Sequence, residues 1–188
     1  MRICVMMAAV GLVAGSGGLQ AEGSRGLGAH EHGHSTLNIA IEGERVLMEL
    51  DAPGMDIVGF EHAATSDADQ AAIARAEETL ADPMKLFVMP AAARCTVETA
   101  DVALAGDRRD DHADEAEHAE DESEGHTEFH AEYTLGCANP EALETIRFAF
   151  FEKFAGAEEV EVNVISERGQ TSYEVERDQP SIDLGAVM

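Results

Sequence analysis

Tryptophan is absent from this chain of 188 residues, tyrosine occurs twice, and lysine plus arginine number 12 against 38 aspartates and glutamates. A formal charge of -26 repels nucleic acid and anionic membrane faces and draws in cations. Nucleic-acid binding is thereby set aside. The one long apolar run, from Ile3 to Val13, falls short of the about 20 residues that a membrane helix needs, so membrane insertion is not expected. Catalytic signatures are scarce too. The chain has no phosphate-cradling glycine loop and no Gly-x-Ser-x-Gly, and the lack of Cys-x-x-Cys argues against reactive-thiol chemistry.

Cysteine is also sparse, with three in the whole chain. Arg2, the apolar run behind it and the small residues up to Ala21 have the profile of a secretory signal peptide. Cys4 lies at the very start of the apolar run, so it is not placed as a lipidation cysteine would be. Loss of residues 1–21 on export leaves Cys95 and Cys137, which in an oxidising compartment most simply form one disulfide. The loop between them holds roughly 40 residues, for which the chain-entropy model gives an upper figure of about 4 kcal/mol.

What the chain does hold is histidine. His30, His32 and His34 alternate in the pattern His-x-His-x-His directly behind the leader. Neutral imidazoles at alternate positions of an extended segment point the same way and can close on one transition metal. Zinc holds its ligands at about 2.0 to 2.2 Å in a tetrahedron, so neighbouring donor atoms lie about 3 Å apart. Residues two apart on a strand, at roughly 6.6 Å, can converge over that gap, whereas residues four apart need a bend such as Gly33 permits. Two of the three histidines are thus expected to share one ion, with further ligands from elsewhere.

Those further ligands are sought beside carboxylates at the edges of ordered elements. His62 follows Glu61, His130 lies two residues before Glu132, and His126 sits four residues before His130. His112 and His118 fall within a run of acids and alanines, where they gather metal weakly. Because histidine must be neutral to ligate, affinity is expected to fall as the medium acidifies below about pH 6.

The remainder reads as one domain. Residues 22–33 form a Gly-rich, His-bearing arm, and residues 34–188 form an α+β domain interrupted at 107–128 by a disordered acidic and His-bearing loop that lacks apolar periodicity. Thr36 to Ile41 and Arg45 to Leu50 alternate around Glu42-Gly43-Glu44, which predicts a hairpin. Ser66 caps the main helix, which runs to Ala81 before Asp82-Pro83. Cys95 to Leu104 and Thr127 to Cys137 read as strands, the first with a bulge near Ala100. Asn139-Pro140 starts a short helix, Ile146 to Phe151 reads as strand, and a second hairpin turns at Arg168-Gly169. The expected architecture is an antiparallel sheet of hairpins with one main helix and one or two short helices on a face.

Several of these segments resemble one known family. Ala29-His30-Glu31-His32-Gly33-His34 running into Thr36-Leu37-Asn38-Ile39-Ala40, then Met55 to His62 as Met-Asp-Ile-Val-Gly-Phe-Glu-His, then Glu128-Phe129-His130-Ala131, Cys137 and Asn139-Pro140, resemble the ZrgA-like periplasmic zinc-binding proteins of Gram-negative bacteria. The likeness covers nearly the whole chain after the leader. It implies a periplasmic protein that binds zinc and serves its uptake by handing the ion to a transporter component, with His30, His32, His34, His62 and the loop histidines as ligands. The loop departs from the family pattern in being less dense in histidine.

The favoured reading is therefore capture and delivery of Zn2+, with copper or nickel as ions that imidazole also accepts, and no catalysis. One rival is a metal-dependent hydrolase, which needs an open coordination position and a base such as Glu31 or Glu61. His30-Glu31-His32-Gly33-His34 even fits the zinc-protease motif His-Glu-x-x-His, but that motif needs a helix, and here glycine lies before and within it and a strand follows. A further rival makes the metal a structural brace tying the arm to the sheet.

Overall fold

A computed structural model describes residues 32–105 and 127–188. The hairpin forms as expected from β1 (His34–Glu42) and β2 (Arg45–Pro53), paired antiparallel with Ile39 opposite Met48. Leu37, Ile39, Ile41, Val46, Met48 and Leu50 are buried, while the alternating partners Asn38, Leu47 and Glu49 face outward. Pro53 fixes the chain before a one-turn helix, α1 (Gly54–Val58), which Gly59 ends in the left-handed conformation at φ 83°.

Helix α2 (Asp67–Leu80) is the longest, and Ser66 caps it by accepting from the Asp69 N–H at 3.1 Å. It buries Ala76 and Leu80. A single turn, α3 (Pro83–Leu86), leads into the two-residue β3 (Phe87–Val88). β4 (Cys95–Ala105) and β5 (Glu128–Cys137) then pair antiparallel, with a register shift between Val97 and Thr99 that restores Ala100, Val102 and Leu104 to the inner face. Cys95 and Cys137 stand opposite each other in this ladder and are joined as a disulfide. Phe129, Ala131, Tyr133 and Leu135 point inward as their alternation requires.

The remaining elements are two 3-10 turns (Ala91–Ala93 and Pro140–Ala142), β6 (Thr145–Phe148), the single turn α4 (Phe150–Lys153), β7 (Glu159–Ser166), β8 (Gly169–Glu176) and β9 (Ser181–Asp183). Two sheets result. The larger has the order β4-β5-β2-β1-β7-β8 and the smaller β3-β6-β9. One face of the large sheet packs on the small sheet and the short helices, where Phe87 meets Tyr133, Phe148 and Phe150 at ring separations of 6.4, 5.5 and 6.1 Å. Such contacts add about 0.5–1.5 kcal/mol each to the burial itself. Among the described residues no further element packs on the opposite face.

The expected α+β class, an all-antiparallel sheet with a main helix on a face, is corrected by this architecture. Strands take 47% of the described residues and helices 24%, and α2 is the one helix longer than a turn or so, so the domain is mainly β. The sheet is also mixed, because β1 pairs parallel with β7. Hairpins are written in local alternation, whereas parallel pairing joins strands far apart in the chain and leaves no local mark. Similarly, the apolar run from Ile146 stops as strand at Phe148 and turns helical at Phe150, because both phenylalanines are needed around Phe87. The leader, the arm up to Glu31 and residues 106–126 of the acidic loop lie outside the described residues.

Candidate metal centre

Two groups of histidines and carboxylates stand out, and the register of the large sheet builds the first. In the β2–β5 ladder Asp51 pairs with His130 and Glu49 with Glu132. All four lie on the outward parity, since Leu50 and Ala131 between them are buried. His130 Nδ1 stands 2.7 Å from Asp51 Oδ1, and Nε2 stands 3.3 Å from Glu132 Oε1 and 3.9 Å from Glu49 Oε1. Glu49, Asp51 and His130 each offer a donor atom within 4.8 Å of the other two.

A carboxylate only accepts, so Nδ1 carries a hydrogen and donates it to Asp51. The ring is thus oriented with Nε2 toward Glu49 and Glu132, a position that favours a cation. Without metal the cation is a proton. The Asp51 hydrogen bond raises the His130 pKa above its ordinary value, burial opposes it, and Glu132 and Glu49 add to the rise. With metal, the carboxylate-held imidazole is the arrangement that fixes a ligating nitrogen. An open groove of about 640 Å³ runs along the same face, and Glu49 and Glu132 line it together with Asn38, Leu47, Asn163 and Ile165.

The second group lies where the described chain begins. Gly33, at φ 90°, donates its N–H to Asp56 Oδ1 at 2.7 Å, and its carbonyl accepts from the N–H groups of Glu158 and Glu159 at 2.8 and 2.9 Å. His32 Nε2 then faces Glu61 Oε2 at 3.3 Å, while His34 Nδ1 faces Glu159 Oε1 at 3.5 Å. Asp56 itself is buried, and desolvation raises its pKa against the opposing Gly33 hydrogen bond and the nearby His32. The stretch from Phe151 to Ala157 is held by Arg177, whose guanidinium donates to the carbonyls of Phe151, Phe154, Ala155 and Ala157. Gly54 N–H, meanwhile, donates to the Thr127 carbonyl at 2.7 Å, bringing the start of the β5 segment to α1.

Of the histidines singled out in the sequence, His30, His112, His118 and His126 lie outside the described residues. His32 and His34 face carboxylates on different segments, because the turn at Gly33 precedes β1 and interrupts the alternation. His62 stacks on Phe60 at 4.7 Å and contacts the Ala63 carbonyl, while its neighbour Glu61 meets His32. Sequence reading missed Glu49, Asp51 and Asp56. Glu49 and Asp51 carried a legible signal in the outward parity of β2; Asp56, in an apolar stretch, carried none beyond its being charged there.

The site and fold thus define a mainly β domain in which one imidazole and two carboxylates stand close enough together to hold a metal ion. A family model described as ZrgA family zinc uptake protein matches residues 29–184, and the chain belongs to that family. No curated protein matches the chain. Among the described residues no helix is long and apolar enough to cross a membrane.

Proposed function

We propose that the protein captures zinc in the periplasm and passes it to a component of a zinc transporter, without catalysing a reaction. The observation that supports this reading best is His130, held by Asp51 through Nδ1 and facing Glu49 and Glu132 through Nε2. His130, Glu49 and Asp51, whose donor atoms come within 4.8 Å of one another, would leave a tetrahedral zinc one position for water or for a donor from a receiving protein. The side chains of Glu49 and Glu132 are 51% and 67% exposed, so they can release the ion without opening the fold. The charge of the chain adds long-range attraction for cations.

Calorimetric titration of the purified chain with zinc tests the reading. His130→Ala and Glu49→Gln are each expected to weaken one equivalent of zinc at least tenfold, and unchanged binding in both variants would refute the assignment of this site. Imidazole also accepts copper and nickel, and the general affinity order puts copper above zinc, so availability selects the ion in the cell.

The groove beside Glu49 and Glu132 favours one second reading, a hydrolase that seats an organic substrate next to the metal. Against it, the ligands stand on an exposed sheet face where water is not excluded. Turnover of ester and phosphoester substrates by the zinc-loaded protein, abolished in His130→Ala, would establish the hydrolase instead.

A further inference from the structure

We infer that the protein self-associates through the edge strand β8, which pairs antiparallel with β8 of a second copy about a two-fold axis at Ser172, so that Arg168 of each chain stands opposite Glu176 of the partner subunit. The inference does not depend on the reading of the protein as a zinc carrier.

The two edges of the large sheet are built differently. β4, at one end, is interrupted by the register shift between Val97 and Thr99 and carries Glu98 and Asp101. Bulges and charges of this kind protect an edge from pairing. β8, at the other end, follows β7 in unbroken register from Gly169 to Glu176, with no proline, lysine or bulge. The hydrogen bonds show which of its groups are free. The Arg177 N–H donates to the Glu158 carbonyl, and an antiparallel ladder bonds alternate residues to the same neighbour. Val175, Tyr173, Thr171 and Gly169 therefore bond β7, while Glu174, Ser172 and Gln170 turn their N–H and C=O groups away from the sheet. Those three residues are exposed, and among the described residues no other element bonds to their backbones. Such a row is a template for one more strand.

Charge identifies that strand as a second β8. With the axis at Ser172, Gln170 lies opposite the partner's Glu174, and Arg168, in the turn before β8, lies opposite the partner's Glu176, an opposite-charge pair that symmetry repeats. A shift that centres the pairing on Glu174 sets two glutamates face to face, and one that centres it on Gln170 leaves Tyr173 to Glu176 beyond the overlap. Both criteria select Ser172. The groove of the outward face supports the same geometry, because Glu49 and Glu132 line it on β2 and β5 and Gln170, Thr171 and Ser172 line it on β8, so it reaches the edge. An axis normal to the sheet keeps both outward faces on one side. The two grooves then join into one trough, with a Glu49–Asp51–His130 group in each half. The interface is small, so association is expected in the micromolar range. The formal charge of -26 opposes it, and salt that screens this repulsion favours it.

The test is sedimentation equilibrium of the full chain in moderate salt, over micromolar to millimolar concentrations, in wild type, Arg168→Glu, Glu176→Arg, the Arg168→Glu/Glu176→Arg double variant and Glu174→Pro. The Glu174 N–H points away from β7, so proline there blocks the edge without removing a bond of the existing ladder. Wild type is expected to dimerise. Each single charge reversal sets like charges opposite each other and is expected to weaken the dimer about tenfold, the double variant restores it, and Glu174→Pro abolishes it. A wild-type chain that stays monomeric throughout overturns the proposal. So does a dimer that tightens in Glu176→Arg, which would follow net charge alone, or one that the double variant fails to restore. If Glu174→Pro does not fold by circular dichroism, the charge exchange decides by the same measure.

Discussion

Asp51 and His130 stand opposite each other in the β2–β5 ladder, with Oδ1 and Nδ1 2.7 Å apart, so one cross-strand register sets both the position and the tautomer of the imidazole. Nε2 is left between Glu132 and Glu49, where a metal ion would compete with a proton for the same lone pair.

The pH dependence follows from that competition. The folded-state pKa of His130 lies above 6.5, chiefly through Asp51. In the metal-free protein the pairing therefore stabilises the fold fully below about 6.5 and is lost as pH rises through the folded value. Zinc affinity runs the other way. It is greatest above the folded pKa and begins to fall on acidification while still above pH 6.5, earlier than the pH 6 expected for an isolated histidine. Asp51→Asn is expected to shift that fall to lower pH. Chelator competition between pH 5 and 8 measures it, and flat affinity over that range would contradict a histidine ligand.

The disulfide anchors an edge. β4 pairs with β5 alone in the large sheet, and Cys95–Cys137 closes one end of that ladder. Converting both cysteines to alanine is expected to cost up to about 4 kcal/mol in denaturant titration, with faster amide exchange concentrated in β4. An unchanged transition midpoint would show that the strand pairing holds without the link.

Tyr133 is a place where the fold tolerates a misfit. The side chain is 2% exposed, and its hydroxyl has no hydrogen-bond partner among the described residues, so burial pushes its pKa upward. Tyr133→Phe removes an unsatisfied buried group and is expected to stabilise the protein by about 1 kcal/mol. A loss of stability of that size would reveal a partner for the hydroxyl.

Gly156 tests the packing over Asp56. A Cβ there meets the Asp56 carbonyl oxygen at 2.7 Å and its Cα at 2.8 Å, and backbone cannot swing aside as a side chain can. Gly156→Ala is expected to destabilise by about 1–3 kcal/mol. Thermal melting checks it, and an unchanged midpoint would show that the segment can move away from α1.

Much of this arrangement was legible in local sequence. Alternation gave the hairpin at Gly43, the inward residues Phe129, Ala131, Tyr133 and Leu135, and the irregularity in β4. Ser66 announced α2, and cysteine count anticipated the Cys95–Cys137 pair. The class was misjudged because α2, prominent in the sequence, buries only Ala76 and Leu80 and sits beside the core instead of defining it. The site was half visible. His130 and Glu132 were marked as outward residues of one strand, but Asp51 and Glu49 reach them only through a pairing between strands 79 residues apart in sequence, counted between His130 and Asp51. Asp56 was hidden for the same reason: what gives it meaning is the Gly33 N–H and the Gly156 backbone, both distant in the chain.

The parallel seam between β1 and β7 bears on how the polypeptide acquires its shape. β1 lies between β2 and β7, and Leu37 must align with Val162 before its second flank is covered. A ribosome completes the first hairpin early, yet the docking slot beside it waits for the last quarter of the chain. Until then that flank offers unpaired amide and carbonyl groups to any passing strand. Maturation of the sheet is consequently a late event, slow by its long-range topology and dependent on keeping the nascent molecule apart from its neighbours.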